Sequence, residues 1–309
     1  MPARSGSSAG DAHLKVLHVV GARPNFMKIA PVMRALDASG AVDQLLVHTG
    51  QHYDDKLSKE LFEDLELPKP DVDLGIGSGS HADQTGRTLI ALEPVVERYS
   101  PDWVFTVGDV NSTLAAALVG AKLNIPIAHI EAGLRSGDRT MPEEINRLVT
   151  DRLSDALFTT EPSANENLLG EGVPADRIHF VGNVMIDTLL RFRESAKSLD
   201  VPRRLQLTAG EYLLVTLHRP GNVDDRERLE AILTALIEAG RLTGCDVVLP
   251  LHPRTRQRIE RFGLEELLGR LTTAPPMRYL EFLGLMQDAK AVVTDSGGIQ
   301  EETTVLGVP

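Results

Sequence analysis

Short runs of β-branched and aliphatic residues alternate along this chain with longer stretches whose apolar positions recur at helical spacing. Leu14–Val20 (LKVLHVV) reads as a buried strand, and Lys28 to Ala38 follows as a helix. The pattern continues with a strand from Gln44 to His48 and a long helix from Ser80 to Tyr99, interrupted or bent near Pro94. Next come strands from Trp103 to Val107, Ile127 to Ile130 and Ala156 to Thr159, with helices from Leu114 to Lys122 and Glu143 to Ser154. From Gly182 to Gly210 the character changes: a charged helix from Ile186 to Ser198 leads into Pro202 and a polar turn, which reads as a hinge. The alternation then restarts, with strands from Tyr212 to Leu217, Asp246 to Pro250 and Ala291 to Thr294. Helices from Arg226 to Ala239, Arg256 to Leu268 and Tyr279 to Ala289 separate them. Such alternation predicts an α/β protein with parallel, doubly wound sheets. Two similar α/β domains in tandem are expected, residues 14–188 and 189–309, behind a small, polar, disordered tail over residues 1–13.

Composition narrows the picture. A length of 309 residues favours two domains over one, and 25% charged with 42% hydrophobic residues allows each a sizeable core. The net charge of −12 argues against nucleic acid or an anionic membrane as partner, so an anionic ligand would need its cations gathered in one cleft. The single cysteine, Cys245, excludes an internal disulfide or a cysteine-based metal site and reads as a small core residue in a reducing compartment. The N-terminal residues lack a signal-peptide apolar segment, and no stretch approaches membrane-spanning length, so a cytoplasmic protein is expected.

In open α/β sheets ligands sit beyond the carboxyl ends of the strands. The residues there are Gly21–Arg23, Gln51–His52, Gly108–Asp109, Glu131–Gly133, His218–Arg219, His252–Arg254 and Ser296–Gly298, nearly all polar, charged or glycine. One shared cleft explains them together. The turn Asp295-Ser-Gly-Gly298 offers a helix N-terminus as a phosphate seat, with the Ser296 hydroxyl as an extra donor. Glu302, about one turn along, would accept from sugar hydroxyls; an ordinary turn with Asp295 or Ser296 as N-cap accounts for the same residues. The first strand ends in Gly21-Ala-Arg-Pro-Asn25, which is no dinucleotide fingerprint, but Arg23 and Lys28 bring cations where a diphosphate would lie; surface charge is the plainer alternative. Asp109 and Glu131 are lone carboxylates after apolar strands, so acid–base work is the better reading, whereas Glu143 and Glu144 also suit the first turn of a helix that starts at Pro142. His218 and His252 would meet a phosphate or a leaving oxygen, or serve as hydrogen-bonded loop residues. His13, His18, His81, His129 and His179 show no metal-ligand spacing and receive no role; no metal or other cofactor is expected.

Taken in order, these blocks resemble the non-hydrolysing UDP-N-acetylglucosamine 2-epimerases. The likeness runs from Leu14 to Pro309 through GARPNFMK (21–28), HTGQHY (48–53), GDVNST (108–113), HIEAGLR (129–135), MPEEINR (141–147), His218-Arg219 and DSGGIQEE (295–302). The resemblance implies two Rossmann-like, doubly wound domains of glycosyltransferase-B type and inversion at C2 of UDP-GlcNAc to give UDP-ManNAc. UDP would be eliminated, a glycal formed, and UDP added back. It implies Asp109, Glu131 and Glu143 as acid–base carboxylates and His218 at the diphosphate. Arg23, Lys28 and Arg147 would be site cations, Ser296, Gly297 and Gly298 would hold phosphate, and Glu302 the ribose. His252 is placed with the substrate-binding set, and the expected partners are the UDP-sugar and, in a homodimer, a second copy. Asn25 and Gly221 stand where the family often has Glu, as a subfamily with an altered sugar would; epimerisation of a related sugar such as a UDP-diacetamido-uronic acid is a close enzymatic alternative. The loop Gly75–His81 lacks the arginines and glutamines of the family's activator site, and the second domain is expected to be truncated, because the family continues beyond Pro309. A hydrolysing relative releasing ManNAc and UDP, a glycosyltransferase and a regulatory sugar-nucleotide binder are the alternatives. Carboxylates beside a diphosphate weaken binding, which disfavours the last.

Overall fold

The computed structural model of the protein describes residues 13–50 and 55–309, with side chains outside 51–59. The expected tail over 1–13, apart from His13, lies outside the described residues, as do Gln51 and His52. The chain divides in sequence at Val184/Met185 into two compact units.

The first unit carries seven parallel strands: β1 (Leu14–Val20), β2 (Val42–His48), β3 (Val72–Asp73), β4 (Trp103–Val107), β5 (Ile127–Ala132), β6 (Ala156–Thr159) and β7 (Ile178–Phe180). Their order is β3-β2-β1-β4-β5-β6-β7. Both faces are covered by helices, which is why β1 and β5 are mostly apolar. Val19, Val104 and Ala116 pack with Leu92 and Val96 of the helix His81–Tyr99. That helix runs unbroken through Pro94, so of the interruption or bend expected there the interruption is not found. The N–H that proline lacks would have bonded the Ile90 carbonyl, so the helix gives up one internal bond on a turn whose Ile90 faces solvent.

The second unit carries β8 (Tyr212–Thr216), β9 (Asp246–Pro250), β10 (Thr272–Ala274) and β11 (Ala291–Thr294), all parallel, in the order β10-β9-β8-β11. Val215, Leu233, Leu249 and Ile259 form its core, with Cys245 buried and free beside them. The helix expected over Arg256 to Leu268 is two, Pro253–Phe262 and Glu265–Leu268. Gly263 ends the first in a left-handed cap at φ 67°.

Each sheet reverses its winding once, between β1 and β4 in the first unit and between β8 and β11 in the second. At such a point the loops leaving the two strands turn opposite ways and open a crevice. In-register pairing lines up the ends of β1, β4 and β5, and separately those of β8, β9 and β11.

Candidate functional site

At the first reversal the chain leaves β1 into the helix Arg23–Ser39, which starts with Arg23 and Pro24. A cation at the positive end of a helix is poor capping, so Arg23 owes its place to something else. The cap comes from Asn25. Its Oδ1 accepts the Gly21 and Ala22 amides at 3.2 and 2.9 Å, while its Nδ2 donates to the Val107 carbonyl at 2.9 Å. Asn25 thus ties the end of β1 to the end of β4 and does the capping work a Glu would do at that position. One turn on, Lys28 Nζ meets Glu131 Oε2 at 2.5 Å, each side chain only 11% exposed.

Glu131 interrupts β5 at a bulge and has φ 72°. The left-handed region costs a non-glycine residue roughly 1–2 kcal/mol, and strain of this kind gathers at working sites. The bulge turns the carboxylate toward the neighbouring strand end. A Cβ on Gly108 would stand 3.3 Å from Asn25 Nδ2, 3.7 Å from Lys28 Nζ and 3.9 Å from Glu131 Oε1. Gly108 itself has φ 67°, so glycine is needed there twice over.

Asp109 follows at once. Arg147 donates to its Oδ2 from Nη2 at 2.8 Å and from Nε at 3.1 Å, and from Nη1 to Glu144 Oε2 at 2.5 Å. Glu144 is buried and also accepts the Ser136 and Gly137 amides, each at 3.0 Å. Burial pushes its carboxyl up, but those amides and Arg147 outweigh that and hold it below the usual range. Glu144 is therefore a fixed anion that shapes the loop after β5. Glu143 is half-buried in the first turn of the helix Pro142–Leu153. Three charge pairs thus converge at one edge of the first sheet.

Beneath this edge lies a residue the sequence reading left without a role. His129 is fully buried; its Nδ1 is 2.6 Å from Asp151 Oδ1 and its Nε2 is 2.8 Å from the Gly108 carbonyl. Its place two residues before Glu131, inside an apolar strand, was the available signal. A polar ring there must find partners inside the protein.

In the second unit Asp295 takes the Arg219 amide at 2.8 Å, the His218 amide at 3.0 Å and Asn222 Nδ2 at 3.1 Å, and pairs with His218 Nδ1 at 2.7 Å. Burial raises the Asp295 carboxyl, but these donors bring it below its ordinary value. Asp295 thus spends its oxygens on the loop that carries His218 and leaves Ser296 at the N-cap of the helix Gly297–Leu306. The Ser296 hydroxyl makes no cap bond. A Cβ on Gly297 would meet no protein atom within 4 Å. The ring of His252 stands 6.4 Å from that of His218, and its Nδ1 accepts the Arg254 amide at 3.3 Å. Glu302 is buried, 3.2 Å from the Tyr279 hydroxyl, and burial pushes its carboxyl up to about 7. Among the described residues no cluster of His, Cys, Asp or Glu has the makings of a metal site, and no helix is long and apolar enough to cross a membrane.

A family model described as UDP-N-acetylglucosamine 2-epimerase matches residues 34–309. The chain is 46% identical over 298 residues to the UDP-2,3-diacetamido-2,3-dideoxy-D-glucuronate 2-epimerase of Pseudomonas aeruginosa, covering 96% of this chain and 82% of the relative. It is 42% identical over 302 residues to the UDP-N-acetylglucosamine 2-epimerase of Methanocaldococcus jannaschii, with the same coverage. The crystal structure of that archaeal UDP-GlcNAc 2-epimerase in complex with UDP-GlcNAc and UDP superposes with a TM-score of 0.86, covering 96% of this chain and 83% of the other. The fold is α/β, of glycosyltransferase-B type.

Proposed function

Because the chain belongs to the UDP-N-acetylglucosamine 2-epimerase family, we propose that it interconverts UDP-GlcNAc and UDP-ManNAc by elimination and re-addition of UDP. The observation that carries the reading is the cluster at the first reversal point. There Glu131 is paired with Lys28, and Asp109 with Arg147 beside it. Acids held against cations, in a mostly buried setting, suit a site that passes protons while charge develops on a departing diphosphate.

The C2 hydrogen has no neighbouring carbonyl to acidify it. A carboxylate takes it as a proton, the C2–H electron pair becomes the C1=C2 double bond, and the C1–O bond breaks with its pair leaving on UDP. A second acid then returns a proton to C2 from the opposite face as a UDP oxygen bonds C1. Asp109, Glu131 and Glu143 divide these proton transfers. Arg23, Lys28, Arg147, His218 and His252 balance the phosphate charge. The helix N-terminus at Ser296, Gly297 and Gly298 seats phosphate, and Glu302 accepts from ribose hydroxyls.

A second reading has its own support. The Pseudomonas relative, 46% identical, acts by its name on a diacetamido-glucuronate. Separate incubations with UDP-GlcNAc and with the UDP-diacetamido-glucuronate, followed by proton NMR, decide between them. New anomeric and H2 signals of the C2 epimer with the first sugar support the main reading. Turnover of the uronate alone moves the assignment to the second, and free sugar plus UDP would mean hydrolysis instead.

A further inference from the structure

The buried pair His129–Asp151 touches both turns that carry the proposed acid–base carboxylates. On one side His129 Nε2 meets the Gly108 carbonyl at 2.8 Å, one residue before Asp109. On the other, Asp151 Oδ2 accepts the Gly133 amide at 3.0 Å, two residues after Glu131. Between them, His129 Nδ1 and Asp151 Oδ1 are 2.6 Å apart, both side chains essentially without solvent. We propose that His129 is a positioning residue, held as a doubly protonated imidazolium that locks the Asp109 turn and the Glu131 turn to each other.

The charge state follows from the partners. A carbonyl oxygen only accepts, so Nε2 carries a proton. Asp151 is also an acceptor, because its second oxygen takes the Gly133 amide and Arg135 Nη1 at 2.7 Å, so Nδ1 carries one too. The remaining charges facing the ring are Glu131 farther along β5 and Arg135, which forks onto Glu171 at 2.8 Å through both Nε and Nη2. His129, Asp151, Arg135 and Glu171 sum to zero, which is how a buried cation is tolerated. Burial alone would lower the ring's basicity, but Asp151 outweighs it and the net direction is upward. Asp151 in turn lies below its ordinary range because His129 and Arg135 overcome its own burial. A neutral imidazole would give up one of its two bonds and leave one turn untethered.

The positioning role rests on the epimerase reading, whereas the charge state does not. Nitrogen-15 NMR of the histidine-labelled protein, with His129 assigned by its loss in H129Q, tests the charge. Both ring nitrogens should remain protonated at pH values where an ordinary histidine has lost its charge. A single neutral tautomer at those pH values overturns the proposal. Turnover per folded molecule tests the role. H129L removes the donor to Gly108 and should lower kcat about a hundredfold with KM within about threefold, the pattern of a displaced reacting group. H129Q keeps an amide near the Nε2 position and should recover roughly tenfold of that loss. Wild-type kcat in both folded variants, or a loss confined to melting temperature, overturns the role. A wild-type protein with no epimerase turnover removes the epimerase reading and the role with it, while the nitrogen-15 signal still decides the charge.

Discussion

Lys28→Met should cost the first unit about 3 kcal/mol, and Glu131→Gln placed on top of it should restore most of that loss. The two side chains meet at 2.5 Å with 11% exposure each. At an effective dielectric near 20, unit charges that close attract by about 6–7 kcal/mol, and desolvation cancels much of it. What K28M leaves behind is a carboxylate in a largely dry site without its cation, usually a cost of about 3–5 kcal/mol. The remaining solvent access places this pair at the lower end. K28M/E131Q removes both charges and should fall within about 1 kcal/mol of wild type, which makes it about 2 kcal/mol more stable than K28M alone. Urea unfolding followed by tryptophan fluorescence reads this directly. The chain has one tryptophan, Trp103, and it lies in β4 of the first unit. Effects of K28M and E131Q that add to within about 0.5 kcal/mol would refute the pairing as an energetic unit.

Asp109→Asn and Glu131→Gln should each lower epimerase turnover by at least about a hundredfold, the scale of a general acid or base, and near-normal kcat in both would remove them from the chemistry. Gly133→Ala should destabilise the first unit by about 3 kcal/mol, combining left-handed backbone strain with forced movement of neighbouring backbone. Gly133 has φ 81°, and its Cβ would stand 2.6 Å from the Ala164 carbonyl oxygen. A calorimetric loss under about 1 kcal/mol would contradict that geometry. Glu302 binds its proton more tightly folded, up to about 7, than unfolded. Its contribution to stability is therefore complete below the unfolded pKa and lost as pH rises toward 7. Relative to Glu302→Gln, wild type should lose about 3 kcal/mol between pH 4.5 and 8 in urea titrations followed by circular dichroism; parallel curves would contradict the burial argument.

The framework was legible because strand ends carry their own signal. Asp109 and Glu131 stood out as charges ending apolar runs, and the structure sets them on adjacent strand ends. Their partners were less visible. Lys28 and Glu131 are brought together only by the β1-β4-β5 order, and Arg147 reaches Asp109 from a helix 38 positions later. Glu144 looked like helix grammar and is that, but it also pins Ser136 and Gly137. His129 shows no ligand spacing, and its two buried partners, Asp151 and the Gly108 carbonyl, are set by the fold rather than by sequence distance. The helix Pro162–Gly170 and strands β3 and β7 went unread because two- and three-residue strands and a nine-residue helix hold too little periodicity. Pro94 costs its helix one internal bond but not its continuity, a balance that a sequence does not state.

Elimination and re-addition exchange the C2 proton with solvent. Incubation of UDP-GlcNAc with the protein in heavy water, read by proton NMR, should show the H2 signal disappear and deuterium appear at C2 of both epimers. An H2 signal that persists at full intensity through prolonged incubation would contradict the reaction assigned to this chain.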